Sequence, residues 1–206
     1  INVSLAQASI YVMRPMITYR ALENGASGYE IGLIAAVYAL VPLLIAVPMG
    51  RWVGKIGERP LLFAGCLSFI FLGIAFAFLN NIIAIAAATA IAGIAHLSNV
   101  ASSQAMVANR SPMNLQDQNF GYFSFSTSLG HSVGPALGGV IAGSAGVLPR
   151  SSTSAFIFAS ILAFLALVPI FLFRGVREVR TQQERDAAGS IRARDVLSRP
   201  GIKPAI

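Results

Sequence analysis

The chain has 206 residues, of which 55% are hydrophobic and only 11% charged, with a mean hydropathy of +0.70. A soluble domain carries about 25% charged residues, so this deficit excludes an ordinary globular protein and points to an integral membrane protein. The net charge of +7 is no sign of nucleic acid, because the basic residues are distributed as a topology signal.

Residues 1–20 form the first expected span, its interior broken only by Arg14. Charge-free runs follow at 31–50, 61–79, 82–109, 118–149 and 151–173. Each reaches the roughly 18–20 residues with which a helix crosses about 30 Å of hydrocarbon. The expected architecture is therefore all-α, with six transmembrane helices at about 1–20, 29–52, 60–79, 82–109, 118–146 and 151–173. They form one bundle over 1–173, followed by a basic linker at 174–206. Arg51, Lys55 and Arg59 lie between the second and third helices, Arg110 follows the fourth, and eight more basic residues follow the sixth. The opposite side holds only Arg20 and Arg150. By the positive-inside rule both ends of the segment, including the linker, are cytoplasmic, and the cell membrane is the expected location. The lipid bilayer is the first partner. The chain opens on Ile1 inside an apolar run and closes on RPGIKPAI, so a longer protein is expected.

Along the chain the helices differ in kind. In the first, Arg14 costs at least about 2.5–3.5 kcal/mol at membrane depth. Three readings stay open for it: contact with an anionic solute, snorkelling to the outer interface, or a salt bridge to a part of the protein beyond this chain. The third and sixth helices hold ten of the thirteen phenylalanines and suit the lipid-facing periphery. Cys66, the single cysteine, reads as inert packing. On the fourth helix His96, Asn99 and Ser103 fall at i, i+3 and i+7 and share a face. That face either lines a cavity or makes interhelical hydrogen bonds. On the fifth, Gly130, Gly134, Gly138, Ala142 and Gly146 recur every four residues, forming a small-residue stripe that lets two backbones approach closely. Pro135 reads as a bend there, and His131 as a packing donor. The sequence of polar, intermediate and greasy helices runs twice, suggesting two three-helix repeats. No nucleophile–base pair, phosphate loop, metal-ligand spacing or cofactor motif is present, so no enzyme, metal or cofactor is expected.

The segment GHSVGPALGG (Gly130, Gly134, Pro135, Gly138 and Gly139) resembles the fifth-helix pattern G-x-x-x-G-P-x-x-G-G of the major facilitator superfamily of secondary transporters. GRWVGKIGER resembles the family's loop between helices two and three, with Gly50, Lys55, Gly57 and Arg59 in place. Gly54 stands where that pattern has an acid that latches the cytoplasmic side, and Glu58 where it has a base. Drug–proton antiporters of the family carry R-x-x-Q-G in the fourth helix; here TAIAG keeps Gly93 but has Thr89 and Ala92. The resemblance implies one half of a twelve-helix fold, a missing C-terminal six-helix half, a small-molecule solute, a coupling ion, and transport by alternating access; the fifth-helix motif leans towards an exporter, while the missing arginine and the lack of Asp or Glu in the interior of the spans lean away from ordinary proton exchange. A non-transporting membrane scaffold or receptor that keeps the fold is the alternative.

Overall fold

A computed structural model describes residues 1–144 and 152–172. The expected linker, Gly146 and Arg150 lie outside the described residues. Six helices follow in order: α1 (Asn2–Glu23), α2 (Gly28–Ile56), α3 (Glu58–Phe78), α4 (Ile82–Arg110), α5 (Gln116–Ser144) and α6 (Thr153–Leu172), with a single 3₁₀ turn at Met113–Leu115 before α5. In hydrocarbon no water can satisfy a backbone group, so helices that bond internally are the natural form of such a chain.

Local chemistry sets the turns. Ser27 and Glu30 form a reciprocal capping box that starts α2, and the Asn81 side chain accepts from the amides of Ile83 and Ala84 to start α4. One residue, Gly57, separates α2 from α3; its φ of 95° is open to glycine and rarely to other residues. With such short turns, successive helices run antiparallel, which gathers Arg51, Lys55, Arg59 and Arg110 at one end.

The main helix pairings are α1 with α5, α2 with α4, α3 with α6, α3 with α4 and α1 with α6. Exchanging α1 with α4, α2 with α5 and α3 with α6 returns the same set. The bundle is thus built as two equivalent three-helix units. Each principal crossing uses a small residue. A methyl on Gly93 would lie 2.5 Å from the Tyr38 carbonyl oxygen of α2, and one on Gly65 would lie 3.2 Å from the Ala95 carbonyl oxygen of α4.

Four helices, α2, α3, α4 and α6, are long and apolar enough on their own to cross a membrane. The polar residues of α1 and α5 keep those two below that threshold. The expectation that α3 and α6 suit the lipid-facing periphery concerns one face of each helix, because the other face is buried. Phe69, Phe76 and Phe156 are fully buried between them, the last two stacked at 5.3 Å, and Ser160 Oγ donates to the Ile70 carbonyl. Only the outer faces, with Phe71, Phe78, Phe164 and Phe171, are exposed. The more exposed helix is α2, through Leu40, Leu43, Leu44 and Val47. Residue size fixes how much a helix can bury, but not which neighbour it meets.

At the end opposite the basic cluster, Arg20 joins α1 to α3. It pairs with Glu23 at 3.1 Å and donates to the carbonyls of Ala77 and Leu79. Glu23 in turn accepts from the amide and hydroxyl of Ser152 ahead of α6. Cationic and anionic side chains here satisfy helix termini that would otherwise carry orphan groups.

The α1–α5 crossing is also close. Methyls on Gly130 and Gly134 would come within 2.6 Å of Gln7 Cβ and 2.9 Å of the Ala8 carbonyl oxygen, whereas Gly139 faces open space. Gly134→Ala should therefore cost about 1–3 kcal/mol by overpacking, and Gly134→Leu more. Gly139→Ala should leave thermal stability in detergent unchanged within about 1 kcal/mol. Equal melting behaviour of the two alanine variants would show that the seam yields freely.

Candidate functional site

On α1, Gln7, Tyr11 and Arg14 follow at i, i+4 and i+7, one above the other on a single stripe. The Arg14 guanidinium sits over two aromatic faces, 5.1 Å from the ring centre of Tyr11 and 4.7 Å from that of Tyr38 on α2. Cation–π contacts of this kind contribute about 0.5–2 kcal/mol each, a sizeable part of what the cation costs in a membrane. No carboxylate among the described residues pairs with it; Glu23, Glu30, Glu58 and Asp117 all lie near helix ends. Arg14 remains exposed and borders a cavity of about 240 Å³ lined also by Ile17, Thr18, Ile34, Tyr38 and Thr89.

The same tyrosine reaches α4. The Tyr38 hydroxyl lies 2.7 Å from His96 Nδ1, and His96 Nε2 lies 3.0 Å from the Gln7 side-chain oxygen. Gln7 is buried, so this network places a primary amide in the interior with a partner, as a buried polar group requires. Tyr11 adds α5: its ring stacks on His131 at 3.9 Å and meets His96 edge-on at 6.2 Å. Four helices thus converge on a polar and aromatic cluster with one permanent positive charge. Arrangements of this kind can bind an anion through the guanidinium fork while aromatic walls hold a planar body.

The expected α4 face does not stay together. His96 joins the cluster, but Asn99 does not line a cavity. It is buried in the α3–α4 seam, where its Nδ2 donates to the Cys66 sulfur at 3.4 Å. The reason is the crossing at Gly65, which brings α3 against Asn99 itself. Ser103 lies farther along, on a separate cavity of about 350 Å³ shared with Leu62, Met106 and Arg110. Its hydroxyl is buried without a hydrogen-bond partner. Gly130, Gly134 and Gly138 face α1, while Gly139 and Pro135 are exposed. The expected loop between the second and third helices is a single residue: Gly50 and Lys55 lie exposed in the last two turns of α2, and Gly57 makes the turn. Arg59 lies half-buried beside Glu58, whose carboxylate accepts from Asn109 Nδ2 of α4. Loop and glycine residues are therefore apart from the Arg14 cluster.

Sequence reasoning missed Gln7, Tyr11 and Tyr38. The spacing of Gln7 and Tyr11 from Arg14 carried a usable signal. Tyr38 carried none, since one tyrosine in an apolar helix is ordinary. Thr89 stands where the antiporter pattern has arginine, and it lines the same cavity as Arg14. The cation on this wall comes from α1 instead of α4.

Removing the Tyr38 hydroxyl tests the network. Tyr38→Phe keeps the ring under Arg14 but leaves a His96 nitrogen unpartnered, which should cost about 1–3 kcal/mol. Tyr38→Leu should cost more, by losing the ring as well. Thermal unfolding in detergent measures both, and a Phe variant as stable as the parent would mean that water takes the hydroxyl's place.

The sequence model described as Major Facilitator Superfamily matches residues 1–204. The chain is similar to the quinolone resistance protein NorA of Staphylococcus aureus, 26% identical over 167 residues, covering 81% of this chain and 42% of that protein. It is equally similar to multidrug resistance protein 1 of Bacillus subtilis strain 168, 26% over 167 residues, covering 81% and 43%. The chain spans less than half the length of these curated relatives.

Proposed function

The chain belongs to the Major Facilitator Superfamily, and on that premise we propose that it forms one half of a secondary transporter that exports a small organic anion by alternating access. The carrying observation is Arg14, a permanent cation between Tyr11 and Tyr38 with no carboxylate partner among the described residues. The family is one of transporters and not of enzymes, and the six helices correspond to half of its twelve-helix fold. The relatives' names, quinolone resistance and multidrug resistance, support an exporter. Quinolones are planar aromatic carboxylic acids, the chemistry that a guanidinium flanked by phenol rings holds well.

In this reading Arg14, Tyr11, Tyr38 and His96 form one wall of the solute site. Asn99 and Ser103 stabilise the helix packing around it. A second six-helix half covers the exposed faces of α2 and α5, and the solute sits between the halves. The basic end with Arg51, Lys55, Arg59 and Arg110 is cytoplasmic. The loop lacks an acid at Gly54, and Glu58 engages Asn109 within this half. The cytoplasmic closure therefore needs contacts other than the family's usual latch. A coupling ion supplies the driving force.

Flux of a quinolone carboxylate in vesicles containing the full-length protein tests the proposal. Arg14→Lys keeps the charge and loses the bidentate fork, so affinity should fall several-fold; Arg14→Gln should lose tenfold or more. Binding should also weaken as the solute's acid becomes protonated. Wild-type affinity in Arg14→Gln would reduce Arg14 to an interfacial anchor. A folded protein that moves no solute in either direction would instead favour the scaffold or receptor reading. Residues 1–206 in isolation should give no flux, because the solute site is then one-sided.

A further inference from the structure

The second cavity, of about 350 Å³, lies at the end of the bundle that carries the basic residues, between α1, α3, α4, α5 and α6. Its volume falls within the roughly 300–1,000 Å³ of small-molecule sites. The α4 wall is a single stripe: Ser103, Met106, Val107 and Arg110 follow at i, i+3, i+4 and i+7. That stripe runs about 10 Å along the helix axis. Leu62 of α3 and Ile170 of α6 add further apolar wall.

The two ends of the stripe are chemically unlike. A helical Ser or Thr commonly returns its hydroxyl to the carbonyl four residues earlier, as Ser68, Thr89 and Thr127 do here. Ser103 does not. It belongs to the buried face of α4, only 3% exposed, yet its Oγ has no hydrogen-bond partner. An unsatisfied hydroxyl in the interior is destabilising, so a polar atom inside the cavity would supply what the bundle leaves out. Two turns further on, Arg110 brings a guanidinium, and no ion pair holds it among the described residues. Arg59 of α3 lines the same cavity and adds positive charge. Glu58 beside it is engaged by Asn109.

We propose that this cavity is a binding site, separate from the Arg14 wall, for an amphiphilic organic anion with a second polar group at the far end of a short apolar body. The anionic group pairs with the fork of Arg110, and the body lies along Met106 and Val107. A hydroxyl or carbonyl at the other end bonds to Ser103 Oγ. Met106, unbranched and polarizable, adapts to the shape of the body. Apolar walls exclude a compact inorganic anion, which would lose its hydration without replacement. A neutral amphiphile leaves the guanidinium without a counter-charge. On the orientation proposed above this end is cytoplasmic, so the cavity is where a solute bound for export first meets the protein. Binding itself rests neither on that orientation nor on Arg14.

Photolabelling tests the site. The full-length protein, in nanodiscs of phosphatidylcholine alone, is irradiated with a diazirine-bearing octanoate and the adducts are mapped by mass spectrometry. They should fall at Met106 and Val107, and ω-hydroxyoctanoate should suppress them at several-fold lower concentration than octanoate, the difference one neutral hydrogen bond makes. Arg110→Gln should reduce labelling about tenfold, as the loss of a charge-assisted pair implies. Ser103→Ala should erase the advantage of the hydroxy acid and leave octanoate unchanged, while Arg14→Gln should alter neither. Met106→Trp, which fills the cavity from one wall, should abolish labelling at Val107. Adducts confined to α1 and α2 and lost in Arg14→Gln would place the anion on the wall already described and refute a second site. Parent-level labelling in Arg110→Gln, or suppression by inorganic phosphate at the concentrations at which ω-hydroxyoctanoate acts, would overturn the amphiphilic anion. Equal suppression by the two acids in the parent protein would overturn the part given to Ser103. Loss of labelling when phosphatidylglycerol is added to the nanodiscs would assign the cavity to a membrane lipid and overturn the free solute.

Discussion

Between α1 and α5 there is no room for a methyl group at Gly130 or Gly134. This close approach decides much of what lies above and below it. It stacks Tyr11 on His131, and with Tyr11 in place the next turn of α1 carries Arg14 over the same ring. Because α1 also packs on α6 and touches α4, its orientation is constrained from several sides. In lipid no hydrophobic force drives helices together; dispersion across a small-residue seam and a few hydrogen bonds must do so. A seam this tight is therefore both the source of cohesion and the device that aims the polar side chains.

The polar cluster illustrates how a membrane protein can hold costly groups. Arg14 keeps its charge by resting on the faces of two tyrosines, which offer negative potential without a formal charge. A carboxylate in their place would neutralise the cation and leave little field for a ligand. Gln7, Tyr38 and His96 bond to one another in a chain that crosses three helices. That chain fixes the ring of Tyr38 beneath the guanidinium, so the cluster is held in place by contacts within the bundle itself.

Away from this wall the bundle is held by different means. α3 and α6 interlock through Phe69, Phe76 and Phe156, and Arg20 and Glu23 tie the adjoining ends of α1, α3 and α6. Among the helices least covered by the bundle is α2, which meets it chiefly through α4. Tightly tied helices on one side thus contrast with a thinly covered helix on the other. The repeat relation between α1–α3 and α4–α6 extends to packing, yet Arg14 appears in one repeat only. Symmetric architecture here carries an asymmetric charge.

Much of this was legible in the sequence, and the limits of that reading have a physical cause. Composition identified the solvent, because hydrocarbon tolerates few charges. Apolar run lengths identified six helices, since each must span a fixed thickness, and basic residues marked one end. A four-residue period was enough to show that Gly130, Gly134 and Gly138 share a face, and the cost of a buried cation singled out Arg14. Period and cost are properties of one helix. Which neighbour meets a given face depends on where two helices cross, and only the tertiary structure decides that. So Asn99 and His96, three residues apart, part company: one turns to Cys66 in the α3 seam, the other to Gln7 and Tyr38. So too α3 and α6, rich in phenylalanine, bury some rings and expose others. Tyr38, indistinguishable by sequence from an apolar filler, becomes half of the seat for Arg14 because the Gly93 crossing presses α2 onto α4.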